Sequence, residues 1–282
     1  MLDWAFRIFV GFGSRLFGLD RPLLLISNDD GISAPGIVAL ADALADLGDI
    51  CVVAPDRQRS AQSHAITLDH PLRATEVRQG WWAIDGTPAD CMYLALLSLA
   101  PRRPALVVSG INDGYNLGSD FFYSGTVAAA VEAAIRSVPA FAISLERGRA
   151  EGLAPAARFA HGLAHAILAE GLPPGSLLNV NVPNHGPLRG YRWTRLGKRL
   201  YRDQVETRTD PRGRKYFWIG GPPLDSEESV DADVPAVAAG MVSVTPLDLD
   251  LTSRSLLERL PGWRLPGFEA ILEEEAPGGS GT

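Results

Sequence analysis

The sequence is poor in the features that mark several large classes of protein. Its 282 residues include two cysteines, Cys51 and Cys91, which form neither a disulfide framework nor a metal-ligand spacing. Both lie in apolar runs, and we expect two small buried side chains in a reducing compartment, the cytoplasm. The net charge of -7 argues against a general basic surface and predicts no stable nucleic-acid partner.

A long unbroken apolar run is also missing. Residues 1–20 are aromatic and apolar, but Arg7 and Arg15 interrupt them, so no transmembrane segment is predicted. A basic start and a small-residue cleavage site are absent, which argues against a secretory signal. We expect an N-terminal extension, either an amphipathic helix on the body or on a partner or, as the lesser alternative, a membrane-surface contact. Residues 261–282 are expected to form a partly disordered tail.

The full sequence has the composition of a soluble globular protein, with 46% hydrophobic and 21% charged residues. Up to about residue 185, short apolar runs alternate with helical patterns, which predicts an α/β core with a mostly parallel sheet. Strands are predicted at 23–26, 50–54, 105–109, 140–145 and 177–182. Helices are predicted to begin at Pro35, Pro88 and Gly125, with a further helix over 154–168.

Residues 186–260 are predicted to form a β-rich segment in which the alternation of strand and helix weakens. Strands are expected at 189–196, 216–219 and 241–245, and a last helix at 253–260. Arg208–Arg214 reads as the turn of a long basic hairpin. The helix after Pro88 is expected to turn Cys91, Leu94, Ala95 and Leu97 toward the sheet.

The chain is organised around the stretch from Leu23 to Ile37. A buried strand runs directly into Asn28-Asp29-Asp30-Gly31, so two carboxylates follow its C-terminal end. In open α/β sheets, ligands bind beyond the carboxyl ends of the strands. Two adjacent carboxylates in a partly dry crevice call for a proton or a cation, which suggests a divalent metal site. The alternative is that both residues only stabilise the turn.

Further polar residues follow neighbouring strands and would meet at the same sheet edge. Ser60 follows the second strand, Asn112 follows a later strand, and Ser124-Gly125-Thr126 begins a small-residue helix. Carboxylate, hydroxyl and amide oxygens suit Mg²⁺, Mn²⁺ or Ca²⁺. A helix N-terminus beside such a cation is a site for phosphate.

Five motifs in this order resemble the SurE family of nucleotidases, the stationary-phase survival proteins. They read SNDDGISAPGI, VVAPDRQRS, GTPADC, VVSGINDGYNLG and YSGTVAAAVE. The resemblance covers about residues 22–250. One departure follows Ser60, where Ala61-Gln62-Ser63-His64 replaces the Gly-x-Ser type of sequence that many members carry.

The resemblance implies a three-layer, Rossmann-like α/β/α core over residues 21–185, with 186–260 as a C-terminal oligomerisation extension of a homodimer or homotetramer. It also implies a phosphatase that releases phosphate from nucleoside 5′- and 3′-monophosphates by a metal-activated water. One divalent cation per subunit, Mg²⁺ or Mn²⁺ with Ca²⁺ as a third candidate, would be held by Asp29, Asp30, Ser60 and Asn112. The two aspartates are the implied catalytic residues. Phosphate would be held by Asn116, Ser124, Gly125 and Thr126.

Other interpretations stay open at this stage. The chain could be a nucleotide-binding sensor or assembly protein without turnover. A dinucleotide oxidoreductase is disfavoured because no Gly-x-Gly-x-x-Gly follows a strand. His64 could act as a general acid or be a solvated loop residue, whereas His161 and His165, which lack a third ligand, are expected at the surface.

Overall fold

The computed structural model describes residues 21–148, 150–202, 204–221, 223–225, 229–263 and 266. The predictions for residues 1–20 and for most of the tail after residue 261 lie outside the described residues. No helix in the described part is long and apolar enough to cross a membrane.

The described chain contains thirteen strands and six α-helices. The strands are β1 (Leu23–Ser27), β2 (Asp49–Pro55), β3 (Ala74–Arg78), β4 (Trp81–Ile84), β5 (Leu106–Asp113), β6 (Ala140–Leu145), β7 (Ser176–Val182), β8 (Tyr191–Trp193), β9 (Arg199–Tyr201), β10 (Gln204–Thr209), β11 (Lys215–Gly220), β12 (Pro223–Asp225) and β13 (Val242–Asp248). The helices are α1 (Pro35–Leu44), α2 (Pro88–Leu94), α3 (Gly125–Ile135), α4 (Leu153–Glu170), α5 (Asp233–Ala238) and α6 (Arg254–Arg259).

Nine of these strands form one sheet in the order β3-β4-β2-β1-β5-β6-β7-β13-β8. β1 lies between β2 and β5 and is parallel to both, with Leu24 opposite Ile50 and Leu106. β3 is antiparallel to β4, and β13 is antiparallel to β7 but parallel to β8. The prediction of a mostly parallel sheet is therefore confirmed.

Helices cover both faces of the sheet and give it three layers. Leu24 and Ile26 pack with α1 and α4 on one face, and Leu23 and Leu25 pack with α2 and α3 on the other. A strand that is buried on both faces needs apolar residues at every position, which explains the continuous run that begins at Leu23.

The structure differs from two local expectations for helices. Gly48 follows the apolar face of the first helix, Ile37, Leu40, Leu44 and Leu47, and is therefore expected to be its C-cap. α1 instead ends at Leu44, so Gly48 does not cap it; a Cβ at Gly48 would lie 2.2 Å from the Pro22 carbonyl oxygen. α2 passes into a π-helical turn over Ala95–Leu99, which rotates Leu97 outward and leaves it 62% exposed. The expectation that Leu97 faces the sheet is wrong because the wider turn changes the helical phase.

The C-terminal β-rich segment contains one strand that is shorter than predicted and, in β9, β10 and β12, three strands for which no range was predicted. The expected strand over 189–196 is reduced to β8, but β10 and β11 form the predicted hairpin with its turn at Asp210–Arg214. Both hairpin strands are exposed along their length. The described residues from Asp250 onward belong to a separate compact unit, which contains α6.

Candidate functional site

A side-chain-stabilised turn ends β1 and presents the two aspartates. The amide of the buried Asn28 bonds to Gly31 in both directions, accepting from its N–H at 3.1 Å and donating to its carbonyl at 2.9 Å. Gly31 has a φ of +102°, and a Cβ there would lie 3.1 Å from the backbone of Arg57. The Asn-Asp-Asp-Gly sequence therefore forms a turn that also fixes both carboxylates in space.

Asp29 is the more deeply buried of the two carboxylates, with 4% of its surface exposed. Its Oδ1 accepts a hydrogen bond from the hydroxyl of Thr126 in the first turn of α3. Burial raises the pKa of Asp29 from 3.8 to about 6, the Thr126 bond opposes this shift, and the neighbouring charge of Asp30 adds to it. A cation beside Asp29 would compensate the cost of burying its charge.

Asp30 connects the same turn to β5. Its Oδ2 accepts the backbone N–H of Asp113 at 3.0 Å, and burial also raises its pKa. Asn112 lies within β5, which continues four residues beyond the predicted end at Ser109. The Asn112 Nδ2 donates to the Gly114 carbonyl at 2.7 Å, and its Oδ1 accepts no hydrogen bond from the described residues. That oxygen is thus available as a ligand.

Ser60 lies in the exposed loop that follows β2. The Arg59 N–H donates to the Asp29 carbonyl at 2.7 Å and attaches this loop to the end of β1. The Ser60 hydroxyl accepts a hydrogen bond from the Gln58 amide at 3.0 Å. Ala61 and Ser63 then adopt left-handed backbone conformations, with φ of 57° and 53°. The loop places its serine near the aspartates through a tight, strained backbone path.

The start of α3 has the features of an anion site. Ser124 caps the helix by accepting the Val127 N–H at 3.1 Å. A Cβ at Gly125 would lie 3.0 Å from the Cβ of Asp29, so only glycine fits between the helix and the turn. The first N–H groups of a helix have no partner within it and carry partial positive charge. They can therefore bind phosphate oxygens next to Asp29.

A buried asparagine network holds the loop that carries Asn116. The backbone N–H of Asn116 donates to the Asn181 side chain at 2.8 Å, and its carbonyl accepts from Asn179 and Asn181 at 2.8 and 3.2 Å. Its own Nδ2 donates to the Ser144 hydroxyl at 2.7 Å. One amide hydrogen of Asn116 is thus already committed inside the protein. Its role in phosphate binding stays a prediction.

Most of the predicted site residues border one cavity of about 580 Å³ at the end of the sheet. Those that line it are Asp29, Ser60, Asn112, Asn116 and Ser124. Asp30 lines an adjoining cavity of about 520 Å³ that shares Asn112 with the first. Gly125 and Thr126 lie directly behind Asp29. The sheet topology thus brings together residues from four separate stretches of sequence.

The donor set fits a hard divalent cation. Within the described ranges, no group of three or more histidine, cysteine or acidic residues could hold a metal ion. The available donors are the carboxylates of Asp29 and Asp30, supplemented by the amide oxygen of Asn112 and the hydroxyl of Ser60. Oxygen donors of this kind suit Mg²⁺ or Mn²⁺. Burial raises the pKa of both carboxyls, and a cation beside them would offset the cost of burying their charge.

One contact beside the site was missed by the sequence reasoning. The His64 Nε2 lies 2.6 Å from the buried Glu132 Oε1 on α3, and Glu132 also pairs with Arg136. The nearby Ser63 hydroxyl donates to the Phe122 carbonyl at 2.6 Å. The loop that carries Ser60 is therefore anchored to the segment around α3. The signal in the sequence was a single acidic residue in an alanine-rich helix.

The other histidine and cysteine predictions agree with the structure. His161 lies at the surface, 3.0 Å from Asp46, and His165 is exposed. Cys51 and Cys91 are free and buried. Burial raises the pKa of both thiols, to about 11 for Cys51. Neither thiol is therefore a nucleophile at neutral pH.

Comparisons with known proteins give the same family. A family model described as survival protein SurE matches residues 24–203. A protein of Geobacter metallireducens named 5′-nucleotidase SurE is 50% identical over 85% of this chain and 96% of its own. A protein of the same name from Myxococcus xanthus is 51% identical over 87% of this chain and 94% of its own.

A solved structure, that of the SurE protein from Aquifex aeolicus, is similar over 85% of this chain and 98% of its own. It has a TM-score of 0.75 and 40% sequence identity to this protein. The match in sequence and the match in fold cover nearly the same share of the chain. The chain belongs to the SurE family.

Proposed function

We propose that the protein is a divalent-metal-dependent phosphatase that hydrolyses nucleoside 5′- and 3′-monophosphates to nucleoside and phosphate. The observation that carries this proposal is the direct contact between the candidate metal site and the candidate phosphate site. Asp29, in the acidic turn, accepts a hydrogen bond from Thr126 at the start of the anion-binding helix. A metal and a phosphate would therefore be neighbours. Relatives at about 50% identity bear the name 5′-nucleotidase, which supports the same reaction class.

The metal site of this proposal consists of Asp29, Asp30, Ser60 and Asn112. One bound cation, Mg²⁺ or Mn²⁺, would polarise the phosphoryl group and make water a better nucleophile at neutral pH. With a pKa of about 6, Asp29 is mostly ionised at pH 7 and ready to bind such a cation. The Thr126 hydroxyl orients this carboxylate, and the Asn28 turn holds Asp30 beside it.

The phosphate site would consist of Ser124, Gly125 and Thr126, with Asn116 as a neighbouring donor. The N–H groups at the start of α3 point along the helix axis, and their partial positive charge would stabilise negative charge on the phosphoryl oxygens in the transition state. The absence of a side chain at Gly125 lets an oxygen approach the backbone closely.

The test is phosphate release from a panel of nucleoside monophosphates with Mn²⁺, Mg²⁺ or EDTA. We expect turnover that requires metal and falls at least 100-fold in Asp29→Asn, because that variant loses a metal ligand. Asp42→Asn, an exposed carboxylate on α1, is the matched control and should retain parent activity. A folded, metal-loaded parent that binds nucleotide without releasing phosphate would refute the enzyme and favour the nucleotide sensor.

The proposal includes a homodimer or homotetramer in the cytoplasm. The β10–β11 hairpin supports self-association, because Phe217 and Trp218 of β11 are about 60% exposed. An exposed aromatic surface of this kind is typical of an interface. Two free, buried cysteines suit a reducing compartment.

A further inference from the structure

The second cavity, of about 520 Å³, lies on the α1 and α4 face of the sheet and continues from the candidate metal site. Asn112, Asp113 and Arg147 line both cavities and form their boundary, and Asp30 lies in the wall of the second cavity alone. Its remaining walls come from the starts of α1 and α4 and from the ends of β5 and β6. These walls are mainly apolar, and their apolar side chains are those of Ala34, Pro35, Ile111, Leu145 and Leu153.

Three further polar residues lie among these apolar walls, namely Gln58, Arg147 and Asp113, whose carboxylate lies 3.7 Å from the Arg147 Nε. The Arg147 guanidinium is held over the Asp113 carbonyl by two hydrogen bonds, at 3.2 Å from Nε and 3.1 Å from an Nη, while most of its side chain stays exposed. A planar guanidinium fixed in this way can stack on an aromatic ring. Gln58 donates its Nε2 to Ser60, which leaves its amide oxygen as an acceptor. Flat apolar walls with one stacking cation and one acceptor suit a heteroaromatic base.

The position of this cavity relative to the phosphate site gives the substrate a direction. The start of α3 lies behind Asp29 on the α2 and α3 face, whereas this cavity opens beside Asp30 on the opposite face. The two cavities meet where β1 and β5 are neighbours but their following helices lie on opposite sides of the sheet. This is the topological switch point, at which α/β proteins bind extended ligands.

We propose that the cavity between the starts of α1 and α4 binds the nucleoside part of the substrate, with the base against Leu153 and Arg147. This inference rests on the proposed function and gives a structural reason why the enzyme would prefer a nucleoside as the leaving group. The phosphate would lie at the start of α3, and the nucleoside would extend past Asp30. The apolar walls would then favour nucleotides over phosphomonoesters with small alkyl groups, because only a base buries apolar surface there.

The experiment fills the cavity and compares two substrates. Leu153→Trp places a large side chain in the cavity, and Ala154→Trp adds the same side chain at an exposed position on the next residue of α4. We expect Leu153→Trp to raise the KM for adenosine 5′-monophosphate about tenfold. Its kcat/KM for methyl phosphate should stay within about twofold of the parent value. Ala154→Trp should change neither value.

A binding measurement separates this inference from the proposed reaction. Adenosine, which carries no phosphate, is titrated into the metal-loaded parent and both variants by calorimetry, and we expect Leu153→Trp alone to weaken its binding about tenfold. If no phosphomonoester is hydrolysed, the proposed function fails, but weaker adenosine binding by Leu153→Trp would still support the nucleoside site. Equal adenosine binding by all three proteins, or equal losses on both phosphomonoesters in Leu153→Trp, would overturn the inference.

Discussion

At the scale of single residues, the burial of Asp29 links metal binding to stability. Its carboxyl is almost completely buried, and its pKa is raised to about 6. A carboxyl whose pKa rises on folding makes the folded state bind protons more tightly than the unfolded state. The free energy of unfolding therefore falls as the pH rises from about 4 through 6, and the loss is complete above pH 6.

We predict that metal-free Asp29→Asn is more stable than the metal-free parent at pH 8. A pKa shift from 3.8 to about 6 corresponds to roughly 2–3 kcal/mol of unfolding free energy, which the parent loses when Asp29 ionises. The neutral asparagine does not ionise, so the variant keeps this stability. The measurement is urea unfolding in EDTA between pH 4 and pH 8, with Asp42→Asn as the control. The advantage should shrink as the pH falls toward 4. A difference that stays constant with pH would contradict this account of Asp29.

Added Mn²⁺ should reverse the order of stability of the two proteins. A ligand that binds only the folded state raises the free energy of unfolding in proportion to the logarithm of its concentration. The parent should therefore gain stability with Mn²⁺ at pH 8, while Asp29→Asn should gain little. The parent's gain should diminish below pH 6, where a proton competes with the cation at Asp29.

A third prediction at this scale concerns the backbone of the Ser60 loop. Ala61 has a φ of 57°, a conformation that costs an alanine roughly 1 kcal/mol and costs glycine little. Ala61→Gly should therefore leave stability unchanged or raise it by up to about 0.5 kcal/mol, because the relief of strain exceeds the added freedom of the unfolded chain. Gln62→Gly, at an ordinary φ, is the matched control and should lower stability. Chemical denaturation of both variants decides, and similar losses in both would count against strain at Ala61.

At the scale of secondary-structure elements, β7 does more than extend the sheet. Its two buried asparagines bind the backbone of Asn116, and Asn181 satisfies both the N–H and the carbonyl of that residue. Asn179 bonds only the carbonyl, and its own Oδ1 has no hydrogen-bond partner among the described residues. The two asparagines are equally buried but differ in how much of the loop they hold.

We predict that Asn181→Leu costs more stability than Asn179→Leu. The first leaves a buried N–H without a partner, which costs about 1–3 kcal/mol beyond the lost bonds, whereas the second leaves the carbonyl still bonded to Asn181. Thermal unfolding of both variants tests this order. Nearly equal losses would indicate that Asn116 finds other partners when Asn181 is replaced.

The secondary-structure elements also differ in how well the sequence alone predicts their bounds. Strands buried on both faces, such as β1, are continuous apolar runs and were found within a few residues, and so were the helix starts at Pro35 and Ser124. The end of α2 is harder to predict from sequence, because the π-helical turn that follows it depends on tertiary packing and not on the helix propensity of its residues. Short strands such as β8 lack a long pattern and depend on partners distant in the chain.

The candidate site divides in the same way. Residues that are placed by a strand end or a helix cap were predicted together, because the topology of a parallel sheet brings such ends to one edge. Residues that act across the fold were missed, since Glu132 contacts a loop 68 positions away and Asn181 contacts one 65 positions away. A buried asparagine in an apolar strand, as in SLLNVNV, was the only local signal of the second contact.

At the scale of the whole molecule, the β10–β11 hairpin carries apolar side chains that a single chain does not bury. An isolated two-stranded hairpin is marginally stable in water, yet this one exposes Phe217, Trp218 and Ile219. We predict that Trp218→Glu lowers the mass of the native particle to that of a smaller assembly or a monomer. Val77→Glu, which changes an exposed residue on β3, should not.

Sedimentation velocity at several protein concentrations measures these masses. A parent that sediments as a monomer throughout would refute the oligomer. A Trp218→Glu variant with the parent mass would place the interface away from this hairpin.

The position of β13 has a consequence for how the protein is made. β13 lies between β7 and β8, although both of its neighbours precede it in the chain by about 50 residues or more. During synthesis, the edges of β7 and β8 that pair with β13 stay without a partner until the ribosome has released residues 242–248. Chains that stop before this point should thus be substrates for chaperones and proteases even when every proposed site residue has been made.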